Sequence, residues 1–101
     1  MVIAEESIWE MLKTIPDPEF GINIVDMGLI YSVEPKEDNH IHVIMTLTTP
    51  NCPSGDWIYE GVKTALNQLT DAEKIQVDMV FEPPWTPEKL SDFGKQQLGF
   101  A

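Results

Sequence analysis

A single cysteine, Cys52, is all the thiol this 101-residue chain has. One cysteine allows no internal disulfide, so packing must hold the fold, and a reducing, cytoplasmic address is the default. Long apolar runs are missing too: nothing approaches the roughly 20 residues that cross a bilayer. The start, Met1-Val2-Ile3-Ala4-Glu5-Glu6, lacks the basic residues and apolar core of a secretory signal. Positive charge is scarce. Six basic residues stand against 17 acidic ones, for a net charge of −11. Such a chain repels phosphate backbones and anionic lipid, so nucleic acid and membrane surfaces are not expected partners. The acidity serves solubility or recognition of a basic protein surface. No internal repeat, low-complexity tract or dividing linker is present, which leaves residues 1–101 as one domain.

Apolar residues make up 43% of the chain, an ordinary globular share that argues against disorder. Their periods predict six elements. A helix is expected over residues 7–14. Ser7 and Glu10 have capping-box spacing, Ile8, Met11, Leu12 and Ile15 lie on one face, and Pro16 stops it. Residues 17–28 mix turn formers with apolar anchors and read as an ordered loop, of a length that is often functional. Leu29, Tyr31 and Val33 alternate with Ile30, Ser32 and Glu34. Ile41, Val43, Met45 and Leu47 alternate with His42, Ile44, Thr46 and Thr48. Glu37-Asp38-Asn39 between these strands is a hairpin signal.

A second helix is expected over residues 53–69, opened by Pro53 and Asp56, with Ile58, Val62, Ala65, Leu66 and Leu69 facing inward. Gly55 and Gly61 weaken it, or admit a close neighbour. A third strand is expected over residues 74–82 and a last helix over residues 87–98. There Leu90 and Phe93 point inward and Gly99 terminates. The order α-β-β-α-β-α gives an α+β two-layer sandwich, with helices on one face of a small mixed sheet. The second and third strands, joined through a helix, are expected to pair in parallel by a right-handed crossover.

The chemistry centres on Thr48-Thr49-Pro50-Asn51-Cys52-Pro53, where a strand hands over to a helix. A thiol near a helix's first turn meets unpaired N–H groups and the positive end of the macrodipole, which favour thiolate. The competing reading is a small buried hydrophobe. A Cys–His hydrolytic pair is disfavoured. His40 and His42 open the strand that Cys52 follows, and a strand rises about 3.3 Å per residue. One cysteine cannot by itself supply the four ligands that iron–sulfur clusters usually take. A shared metal or cluster would draw its other ligands from a second copy, a partner or a small thiol. Asp17, Glu19 and Asp26 are turn formers, or a carboxylate beside Cys52 that would raise its pKa. Trp85, after Pro83-Pro84, covers the core or walls a site. Trp57 is core or an exposed anchor for a partner.

Four ordered segments carry a family resemblance. They are Asp17-Pro18-Glu19 with Gly21; Asn23-Ile24-Val25-Asp26-Met27-Gly28-Leu29-Ile30-Tyr31; Met45-Thr46-Leu47-Thr48-Thr49-Pro50-Asn51-Cys52-Pro53; and Phe81-Glu82-Pro83-Pro84-Trp85-Thr86-Pro87. Leu98-Gly99 closes the series. Over nearly its whole length the chain resembles the small metal–sulfur cluster assembly factors, the SufT-like and PaaD-like family. The resemblance implies an α+β domain and a non-enzymatic role in maturing iron–sulfur proteins. It makes Cys52 the functional thiol, and Asp17, Glu19, Asp26, Thr49 and Trp85 motif residues lining its site.

The implied cargo is iron, sulfur or a transient iron–sulfur cluster, held tightly by no single chain. The implied partners are client apo-proteins and carrier or scaffold proteins, among them a P-loop ATPase carrier. A homodimer would bring two Cys52 thiols together. The alternative is an adaptor that recruits client and carrier with Cys52 structural. Asn51 stands where the family often has glycine, and Ser54-Gly55-Asp56-Trp57 is more polar than the usual run. No cysteine-rich extension like that of the phenylacetate-pathway members is present, so that narrower role is not expected.

Overall fold

The computed structural model describes residues 2–48 and 55–99. Cys52, Thr49 and the expected helix start at Pro53 lie outside the described residues. Helix α1 (Glu5–Leu12) begins earlier than the capping box suggests. Ala4 occupies the cap without a side-chain bond, and Glu5 and Glu6 complement the dipole of the first turn. Ser7 and Glu10 therefore sit inside the helix. Ile8, Leu12 and Ile15 are buried as their spacing predicts. The helix stops well short of Pro16, which instead forms an isolated antiparallel bridge with Asn23.

Strands β1 (Ile30–Lys36) and β2 (His40–Met45) form the expected hairpin, joined by the 3-10 turn Glu37–Asn39. Asp38 and Asn39 take φ of 60° and 61°, a left-handed region that short polar residues tolerate. Helix α2 (Gly55–Leu66) follows, then β3 (Ile75–Met79). The sheet order is β1-β2-β3, with β1 antiparallel and β3 parallel to the central β2. Proline is tolerated within β1 because that strand is an edge. Ile41, Val43 and Met45 of β2 are buried with Ile75 and Val77 of β3. Ile8 and Leu12 of α1 and Ile58, Val62 and Leu66 of α2 join the same core. This is the α+β architecture the period changes predict.

Three departures matter. A bulge separates the Ile30–Met45 and Ser32–Ile44 pairs, which leaves Tyr31 as the extra residue. Tyr31 is thereby freed from the face expected for it with Leu29 and Val33. Its hydroxyl donates to the Pro83 carbonyl at 2.7 Å, and the Lys89 ammonium lies 5.0 Å from its ring centre. The third strand, expected to reach residue 82, ends at Met79 and leaves Phe81 exposed.

The expected continuous last helix is broken. A 3-10 turn, Pro87–Lys89, leads to Leu90 in an extended conformation, and α3 (Asp92–Leu98) starts only after Ser91. The break lets Leu90 enter the core. It also resets the helix phase, so that Phe93 is 52% exposed instead of inward. Gly99, at φ 82°, ends α3 as expected.

Candidate functional site

Parallel pairing decides where the site lies. Because β2 and β3 run the same way, residues 46–48 leaving β2 and residues 80–85 leaving β3 emerge at one end of the sheet. The Val80 N–H donates to the Met45 carbonyl at 2.8 Å and extends the pairing past the strand ends. Antiparallel β1 begins at that same end, which brings residues 24–29 there too. The Thr46 N–H donates to the Leu29 carbonyl at 2.8 Å. Ligand sites in sheets with parallel strands favour this carboxyl end.

Trp85 is half-buried in the cluster. Its Nε1 donates to the Met27 carbonyl at 2.6 Å, and with Phe81 and Pro84 it bounds a recess of about 50 Å³ whose other wall is Thr46, Leu47 and Thr48. That volume is far below the ~300 Å³ at which small-molecule pockets begin. Thr48 and Gly55 are the described residues flanking the Cys52 segment. A Cβ added at Gly55 would come 2.8 Å from Leu47 Cδ1, so glycine here admits a close side-chain neighbour.

Asp26 performs a docking task. The turn before it is capped by Asn23, whose Oδ1 accepts from the Val25 and Asp26 N–H groups at 3.0 and 2.9 Å. The Asn23 amide donates to Asp26 Oδ2 at 2.6 Å, while the Ser91 hydroxyl donates to Asp26 Oδ1 at 2.7 Å. Ser91 Oγ then accepts from the Gly94 N–H at 3.0 Å, capping α3, and the Ser91 N–H donates to the Asp26 carbonyl at 2.9 Å. Gly28, at φ 77°, closes the same turn. The Lys89 carbonyl occupies the space a Cβ there would need. Asn23 and Ser91 are the residues that sequence reasoning missed. Ser91 directly before Asp92 is an N-cap signal, hidden by the assumption that the helix had already begun at Pro87. Ser91→Ala removes the cap and one partner of Asp26. It should cost about 1–2 kcal/mol, seen as a lower midpoint in chemical denaturation.

Asp17 and Glu19 belong to a separate turn. Asp17 is 1% exposed, and its Oδ1 accepts from the Glu19 N–H at 2.8 Å. Its carbonyl accepts from the Phe20 and Gly21 N–H groups, and its N–H donates to the Ile22 carbonyl. Burial pushes its carboxyl above the ordinary carboxylate value, against the lowering effect of the Glu19 and Phe20 N–H groups. A carboxyl with a raised folded-state pKa contributes stability that is full below the unfolded pKa and lost as pH rises through the folded one. Asp17→Asn keeps the acceptor and removes the titration. The variant should gain stability over the natural protein as pH rises above about 4, read from denaturation midpoints at each pH.

The histidines stand apart from this end of the sheet. His40 opens β2 with Nδ1 3.2 Å from the Glu37 carbonyl, and His42 Nε2 lies 2.7 Å from Asp78 Oδ2. Among the described residues, no group of three or more His, Cys, Asp and Glu side chains is arranged to hold a metal ion. No described helix is long and apolar enough to cross a membrane.

The fold and the site define a small α+β domain with Asp26, Trp85 and residues 46–48 gathered at the carboxyl end of a parallel strand pair, and Asp17 and Glu19 in a separate turn. Residues 5–79 match the family model described as iron–sulfur cluster assembly protein, and the chain belongs to that family. It is 41% identical over 96 residues to a Porphyromonas gingivalis protein named Fe-S protein maturation auxiliary factor, covering 95% of this chain and 91% of that one. It is also 41% identical over 95 residues to the Bacillus subtilis Fe-S protein maturation auxiliary factor YitW, covering 94% and 93%. The fold is similar to the crystal structure of a Domain of Unknown Function DUF59 from Bacillus anthracis. The TM-score is 0.88 at 35% identity, over 96% of this chain and 92% of that one.

Proposed function

We propose that this protein is a non-enzymatic maturation factor for iron–sulfur proteins. In this reading Cys52 is a thiolate that transiently engages iron, sulfur or a cluster, or contacts the carrier that brings it. The observation that carries the reading is the convergence at one end of the sheet of Asp26, Trp85 and residues 46–48, the stretch that leads to Cys52. Relatives named as auxiliary factors support the general role.

Cys52 precedes Gly55, the first described residue of α2, by three positions in the sequence, and a helix start stabilises an anion. Trp85, braced on the Met27 carbonyl, and Thr49, three positions before Cys52 in the sequence, would wall the thiol's surroundings. Asp26 holds the wall in place through Ser91, while Asp17 and Glu19 order the separate turn of residues 17–22. The cluster is cargo. With one cysteine per chain, its remaining ligands come from a second copy, a client or a carrier. An adaptor reading, with Cys52 structural, is favoured by a different observation: the half-exposed Trp57 beside an open groove.

The deciding experiment is anaerobic reconstitution with iron and sulfide, read by visible absorption with mass from light scattering, on the natural protein and Cys52→Ser. A Cys52-dependent chromophore supports direct cargo handling. Its absence in a folded natural protein, together with normal client maturation by Cys52→Ser, would move the function to the adaptor reading.

A further inference from the structure

Helices α1 and α2 leave an open groove between them of about 720 Å³. Its floor is apolar, made by Met11 of α1, Ile15 in the turn after it, and Gly61 and Ala65 of α2. Trp57 stands at its edge, 52% exposed. The α2 residues that line it run from Asp56 to Ala65, which at 1.5 Å per residue is a trough about 14 Å long, or about two and a half helical turns, and Gln68 after the helix extends it.

One wall is helix α2, whose backbone N–H and C=O groups are bonded internally. The other is Met11 of α1 and the turn after it, where the Thr14 and Ile15 N–H groups donate to the Met11 and Leu12 carbonyls and the Ile15 carbonyl accepts from the Ile24 N–H. An extended peptide would find no backbone partners there, so an occupant must satisfy its own backbone, as a helix does. The charge is one-sided. Asp56 and Glu60, one turn apart on α2, border the groove, and no lysine is among its described lining residues. Lys63 of the same helix lies instead over the Tyr59 ring, 5.4 Å from its centre. A second copy of this chain would bring another −11 of charge to an acidic rim.

We propose that the α1–α2 groove is the docking site for an amphipathic helix of a partner protein. That helix carries an apolar stripe seated over Gly61 and against Trp57, and two basic residues one turn apart that meet Asp56 and Glu60. The proposal gives the adaptor contacts considered above a place and a partner chemistry. It does not depend on the role of Cys52.

The probe is a synthetic peptide of about three turns with a leucine stripe and a lysine pair one turn apart, titrated calorimetrically against the full chain. Its counterpart carries glutamates in place of the lysines. The lysine peptide should bind one to one, and the glutamate peptide at least about tenfold more weakly. Gly61→Leu fills the floor from a position where an added Cβ meets Ile15 at an ordinary 3.5 Å, and leucine favours the helix. It should weaken binding about tenfold or more with the melting temperature unchanged or raised. Trp57→Ala, at a half-exposed side chain, should do the same and stands in if Gly61→Leu fails to fold.

Asp56→Asn with Glu60→Gln should weaken binding and flatten its salt dependence, whereas Glu34→Gln with Glu37→Gln, on the hairpin, should leave it unchanged. Equal effects of the two acidic pairs would overturn the proposal in favour of diffuse charge attraction. So would equal binding of both peptides, or a dimer of the natural protein that Gly61→Leu dissociates. Cys52→Ser should bind the peptide normally, so loss of maturation in that variant and loss of docking in the groove variants are separate results.

Discussion

Cys52→Ser is expected to leave a folded protein with the circular dichroism and melting temperature of the natural one, while client activation falls by about 10–100-fold or more. Removing a group that merely supports a metal ligand costs that much, and removing the ligand costs no less. Serine preserves the size of the side chain and its capacity to hydrogen-bond. Its hydroxyl, however, is not ionised at neutral pH, is a poor ligand for iron and cannot carry sulfur as a persulfide. The measurement is the activity of an iron–sulfur client enzyme recovered in cells or in a defined reconstitution containing only the variant. Cys52→Ala separates the readings further. If Cys52 is the working thiol, alanine and serine are equally inactive and both stay folded. If it is a packed hydrophobe, alanine lowers stability and leaves maturation intact, because the contacts that recruit partners lie elsewhere.

Gly28→Ala should unsettle the fold and the site together. Gly28 has φ 77°, which costs a side-chain-bearing residue about 1 kcal/mol. The Lys89 carbonyl also fills the space the new methyl would need. Backbone cannot yield as a flexible side-chain tip does, so the segment carrying Lys89 and Leu90 must shift. We expect a loss of more than about 2 kcal/mol, or roughly 10 °C in melting temperature for a domain of this size.

The shift should reach Trp85, which is bonded to the Met27 carbonyl next to Gly28, and Tyr31, which holds Pro83 and lies under Lys89. A change in tryptophan emission at temperatures where the variant is still folded would show that the wall of the site has moved. Melting at the natural temperature would mean that the C-terminal segment does not press on Gly28. Ser91→Ala, which loosens the same segment through hydrogen bonds alone, should give the milder form of this phenotype.

Much of the architecture was legible in the residues. Ile8, Leu12 and Ile15 at helical spacing, and Ile41, Val43 and Met45 alternating, are core in the structure because burial of one face imposes those periods. Glu37-Asp38-Asn39 announced the hairpin, since Asp38 and Asn39 tolerate positive φ. The resemblance of Asn23 through Tyr31, Met45 through Pro53 and Phe81 through Pro87 to iron–sulfur assembly factors pointed to the family that the whole-chain comparisons establish.

Local rules failed where a distant contact outweighed them. Ser7 and Glu10 satisfy the capping-box pattern, yet the helix starts upstream, because core packing of α1 sets its position more strongly than one cap. Tyr31 sits in perfect alternation, yet a bulge turns it out to reach Pro83, 52 residues away. Leu90 and Phe93 share a helical face on paper. The Asp26–Ser91 bond starts the helix later and leaves Phe93 in solvent.

By itself, then, the sequence determined the element order, the inward faces of α1, β2 and α2, the absence of any internal disulfide and the identity of the one thiol. Each follows from composition or from short-range periodicity. Tertiary structure decided that Asp26 ties the C-terminal segment down, that Trp85 braces against Met27 beside residues 46–48, and that α1 and α2 leave a groove edged by Trp57. These depend on pairings between residues far apart in the chain, and no local pattern of residue types encodes them.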